Sequence, residues 1–176
     1  MTDDAFQLYP VIAQIAATFA GFGSVASGIG QRRGGDDTRV DAYRLKLMLF
    51  ASLSATILGL LPATLAGLSF GTTRALSLSA VAGVVALAIN LPLSTIRIVR
   101  IRHVEGFNLI AGIANAACAL VAFVAFVFCV AQMPPNRVAN LYLVGLMGLL
   151  GSSVIMFSRV IVSILRPHSE VADNDG

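Results

Sequence analysis

Five stretches of this sequence, residues 10–29, 47–70, 75–96, 107–131 and 138–158, contain no Asp, Glu, Lys, Arg or His. Each has about the 20 residues that a helix needs to cross a hydrocarbon layer ~30 Å thick. The connections between them are short, so no separate folded domain fits beside them. A helix that is apolar all round has no face to offer water. Strands of a membrane barrel would alternate polar and apolar residues over ~10 positions, and these runs do not alternate. The expected fold class is therefore an all-α integral membrane protein, a single bundle of about five transmembrane helices over residues 1–166. Composition agrees: 57% of residues are hydrophobic and 12% charged, against about a quarter charged in soluble domains.

Local signals set the boundaries. Gly30 to Asp37 is a polar, glycine-broken turn. The second helix is expected to begin near Asp37 or Thr38, ahead of its apolar run, because both residues cap well and Asp41 follows Thr38 at capping-box spacing. Gly71 to Arg74 forms a short turn, Arg97 to Gly106 a basic and polar connection, and Gln132 to Asn136 a break containing two prolines. The fifth helix is expected to continue in amphipathic form to Leu165 until Pro167 stops it. Residues 167–176 form an acidic tail expected to be disordered. The start, Met1-Thr2-Asp3-Asp4, lacks the basic residues of a cleavable signal, so the first run is read as a retained helix.

Basic residues orient the chain. Five lie in segment 31–46, three in 97–106, and Arg159 and Arg166 near the end; these three places share one side. The opposite side has Arg74 and Arg137. The positive-inside rule then puts the N-terminus outside and the C-terminus in the cytoplasm. Eleven Arg against one Lys, in an alanine-rich chain, points to GC-rich bacterial coding and hence a bacterial inner membrane. The basic residues serve orientation, and no nucleic-acid partner is expected.

The spans also limit the chemistry. Proton-coupled carriers and pumps need an ionisable group at depth. Haem and metals need His, Cys or carboxylate ligands, and a serine nucleophile needs a base. The spans supply only Cys118 and Cys129, which share one helix. Eleven residues apart, they are separated by roughly 16 Å, too far for a disulfide. No catalytic activity, cofactor or metal is expected.

What the spans do hold is small and weakly polar residues aligned at helical spacing. The first helix aligns Gln14, Ala17, Gly21, Ser24 and Gly28, opposite Ile12, Phe19 and Phe22. The second aligns Ser52, Thr56, Gly59 and Ala63. The third aligns Ser79, Gly83, Ala86, Asn90, Ser94 and Arg97, and the fourth Asn108, Asn115, Ala119, Ala122 and Cys129. The fifth aligns Gly145, Gly148, Ser152, Met156 and Arg159. Small residues let helix backbones approach and weakly polar ones bond across helices. A carboxamide is costly in hydrocarbon, so Gln14, Asn90 and Asn115 should face protein or water. Pro62 and Pro92 each remove a backbone donor, which frees the carbonyls of Leu58 and Ala88. Arg97, Arg100, Arg102 and Arg159 are placed to meet lipid headgroups.

These features favour a small non-catalytic membrane subunit or scaffold that packs with copies of itself or with another membrane protein. A channel or carrier for a neutral or weakly polar solute is the alternative, and a membrane enzyme the disfavoured one. The orientation is directly testable. A reporter fused after Gly176 is expected to read cytoplasmic, and one inserted at Pro134–Asn136 external. The reverse pattern would overturn the charge argument.

Overall fold

The structure, a computed structural model, describes residues 2–30, 37–68, 71–101, 109–133 and 137–165. Among these there is no strand; the regular elements are five long helices. They are α1 (Thr2–Gly30), α2 (Asp37–Gly67), α3 (Thr72–Ile101), α4 (Leu109–Val130) and α5 (Val138–Leu165). All five are long and apolar enough to span a membrane. Only 28–44% of each span is buried within the chain, and residues such as Phe22, Ile57, Val85, Ile113 and Met147 are exposed. So much apolar surface on every side suits hydrocarbon and not water. The chain is a multi-pass, all-helical membrane protein.

The helix limits refine the sequence reading. α2 begins at Asp37 and α5 continues to Leu165, both as expected. α1 begins earlier, at Thr2, with Pro10 inside it. Proline removes one backbone donor and does not by itself end a helix. α3 continues past its apolar run through Arg97 and Arg100 to Ile101, because Ile96, Ile98, Val99 and Ile101 keep that segment largely apolar. Arg102, Asn108 and the tail at 167–176 lie outside the described residues.

α5 is the centre of the bundle and touches all four other helices. α1 packs on α2 and α5, while α3 packs on α2 and α4. The closest approaches are made at glycines. A Cβ on Gly148 would lie 2.9 Å from both the Ala122 Cβ and the Cys118 carbonyl oxygen. A Cβ on Gly59 would lie 2.8 Å from the Tyr9 carbonyl oxygen. The Phe126 ring, fully buried, stands between α3 and α5, where a Cβ on Gly83 or on Gly145 would strike it at 2.9 or 2.6 Å. Four of the five small-residue rows thus turn inward: Ser52, Gly59, Ser79, Gly83, Asn115, Ala122, Gly145 and Ser152 are all buried.

α4 ends in a Schellman turn. The Gln132 amide donates to the Cys129 carbonyl and the Met133 amide to the Phe128 carbonyl, both at 3.2 Å. Glycine usually takes the left-handed position of this turn; here Gln132 takes it at φ 54°. Its side chain donates to Ser77 Oγ at 3.2 Å, which ties the turn to α3.

The glycine contacts make an internal comparison possible. A Cβ on Gly151, one turn beyond Gly148, would meet only the Cys118 sulfur at an ordinary 3.5 Å. Gly148→Ala is expected to destabilise the bundle by about 1–3 kcal/mol through overpacking. Gly151→Ala should be neutral or slightly stabilising, since alanine is the better helix former by up to about 1 kcal/mol. Unfolding titrations in mixed micelles would show it; equal effects would contradict the close α4–α5 approach.

Candidate functional site

Two clusters of polar groups occupy the bundle interior, one toward each end of the bundle. The first forms around Pro62. Proline has no amide hydrogen to give the carbonyl four residues back, so Leu58 is left with an unbonded oxygen inside a span. The Tyr142 hydroxyl, reaching across from α5, donates to that oxygen. Tyr142 is fully buried, and its ring meets Tyr9 edge-on at 5.3 Å and Phe126 at 5.4 Å. The Tyr9 hydroxyl donates to the Ala139 carbonyl at 3.0 Å. Three aromatic rings from α1, α4 and α5 therefore fill this half of the bundle, on the side of the Arg74 and Arg137 turns.

The second cluster lies toward the arginine-rich side. Asn90 on α3, Asn115 on α4 and Ser152 on α5 line one cavity of about 40 Å³. Leu47, Phe50 and Ala51 of α2 form another wall, and Leu87 and Leu149 adjoin the aromatic half. The Ser152 hydroxyl donates to Asn115 Oδ1, joining α4 to α5. The cavity lining carries carboxamides and a hydroxyl but no ionisable group. Among the described residues, no three His, Cys, Asp or Glu side chains gather into a metal site.

The singled-out residues thus separate by position. Asn90, Asn115 and Ser152 meet at the cavity. Gly145 and Gly148 make close approaches to α4. Gln14 does not join the other two amides: it is exposed on the surface of α1, as are Ala17, Gly21 and Ser24. Nothing lies within 4 Å of a Cβ built on Gly21. The buried face of α1 is instead Tyr9, Ile12, Ala13 and Ala16, with Phe19 packed edge-on against Phe157 of α5 at 5.3 Å. Arg159 is partly buried and engaged in an interaction. Arg97 and Arg100 belong to α3, but their side chains, like Arg102, lie outside the described residues.

Tyr9, Tyr142 and Phe126 were missed by sequence reasoning. A signal for Tyr142 did exist. A proline inside a span asks which neighbouring donor serves the freed carbonyl, and tyrosine is the longest uncharged donor in these runs. Nothing in one sequence pairs Phe126 with its two glycines.

The proline–tyrosine relation can be isolated by a double-mutant cycle. Tyr142→Phe is expected to cost about 0.6–1.7 kcal/mol, the range for interhelical hydrogen bonds in membranes. In a Pro62→Ala background the residue 62 amide serves Leu58, and most of that cost should vanish. Strict additivity of the two substitutions would refute the link.

No protein-family model matches the chain, and no curated protein or solved structure is significantly similar to it.

Proposed function

We propose that this protein is a non-catalytic subunit of a membrane assembly, built through the outward face of α1 meeting a second copy of the chain. The supporting observation is the contrast between α1 and the rest of the bundle. On α2 to α5 the small-residue rows are spent on internal contacts. On α1 the equivalent row, Gln14, Ala17, Gly21 and Ser24, faces away from the bundle. Small residues favour close helix approach whichever chain supplies the partner.

Gln14 gives this face its polarity. It lies within the first span, Gln7–Val25. Its carbonyl accepts the Thr18 hydroxyl at 2.9 Å, while its carboxamide bonds no described residue. A carboxamide carries donors and acceptors alike, so two copies related by a two-fold axis complete each other. Such isologous contacts are the commonest form of self-association. The charge bias orients this assembly with its C-terminus in the cytoplasm of a bacterium, in the inner membrane. From their sequence positions, Arg97, Arg100, Arg102 and Arg159 are the proposed headgroup contacts of this assembly. Another membrane protein presenting a similar small-residue face is the alternative partner.

Gly21→Leu tests the proposal without touching the monomer, since the position is open within the chain. It is expected to weaken association by about 1–3 kcal/mol, roughly tenfold or more in the association constant. Ile113→Leu on the exposed surface of α4, which does not contact α1, should leave it unchanged. Light scattering after size-exclusion chromatography gives the stoichiometry. A monomeric parent would remove the proposal, and an oligomer indifferent to Gly21→Leu would move the contact off α1.

A further inference from the structure

The cavity between α2, α3, α4 and α5 holds a polar group that the packing does not use up. Asn115 is 6% exposed and Ser152 5%. The Asn115 carboxamide oxygen accepts the Ser152 hydroxyl, and this is the carboxamide's one hydrogen bond to a described residue. Its nitrogen keeps two donors at the edge of a space that is otherwise mainly apolar. A buried amide donor left dry inside a membrane is costly. The volume is about 40 Å³, and a water needs about 10–15 Å³ by this measure, so the space holds about three.

We propose that this cavity binds neutral, hydrogen-bond-accepting molecules within the membrane: two or three waters, or one uncharged solute of similar volume, such as urea. Asn115 donates to the occupant, and Asn90 and Ser152 complete the polar side of the site. Ions are excluded because no charged side chain lines the space and a bare charge there has no partner. Leu87 and Leu149, both buried, belong to the apolar part of the lining. α1 contributes no lining residue, so the site is independent of assembly through that helix.

The test uses the full chain in lipid bilayers with ¹⁵N-labelled asparagine, read by water-edited solid-state NMR. The Asn115 side-chain amide is expected to receive polarisation from water. Ala119→Leu, which fills the cavity from an apolar wall, should abolish the transfer. Ala116→Leu, at an exposed lining position and therefore easier to accommodate, should reduce it if the first variant fails to fold. A dry Asn115 amide in the parent overturns the proposal, as does transfer that survives both fillings. With ¹³C-urea added, a ¹³C–¹⁵N contact at Asn115 is expected in the parent and lost in the filled variants. Absence of that contact in the parent overturns the solute half and restricts the site to water.

Discussion

Hydrocarbon supplies no hydrogen bonds and gives apolar helices no reason to prefer one another over lipid, and the whole structure answers to that constraint. Helices here meet where backbones can come close, at Gly59 and Gly148, or where a flat ring fits a gap, as Phe126 does between Gly83 and Gly145. Several interior polar groups are met by polar groups from another helix. The Tyr142 hydroxyl serves the carbonyl that Pro62 abandons, Tyr9 serves Ala139, and Ser152 serves Asn115. Thr56 bonds the Ser52 carbonyl at 2.9 Å and comes within 3.4 Å of the Ala13 carbonyl on α1. Each of these links is worth little alone, and together they select one arrangement of five otherwise similar helices.

The architecture was legible in the sequence because it rests on the coarsest property, runs of uncharged apolar residues of membrane length. The Asp37 start of α2 and the extension of α5 to Leu165 came from capping and periodicity, which are local. The α1 start at Thr2 was not legible, because Pro10 reads as a boundary until the helix around it is seen to continue. Helical spacing correctly grouped the small residues into rows. It could not say which rows turn inward, since spacing fixes a face of a helix and not the direction of its neighbours.

The polar cluster shows the same division. Asn90, Asn115 and Ser152 were separable from the background as amides or small polar residues inside apolar runs. That they share one cavity, and that Gln14 does not, depends on which helices adjoin. α1 stands against α2 and α5 only among the described elements, so its amide is kept from a space walled by α2 to α5. Glycine rows were readable as contact surfaces. The aromatic residues that fill the opposite half were hidden, because in a membrane sequence Phe and Tyr are as much at home facing lipid as facing protein.

The central place of α5 also has a temporal side. Ribosomes deliver helices in chain order, so α1 to α4 enter the bilayer before the element that joins them. Until then α1 and α2 can pair through Gly59 and Ala13, and α3 can pair with α4, but the two pairs meet only through the contact of α2 with α3. The Leu58 carbonyl waits with no donor, and Phe126 has Gly83 on one side and nothing on the other. Arrival of the last helix supplies Tyr142 and Gly145 together. Closure of the bundle is thus an event of the end of synthesis, and a nascent chain arrested before residue 138 is an unfinished surface for membrane quality control to recognise.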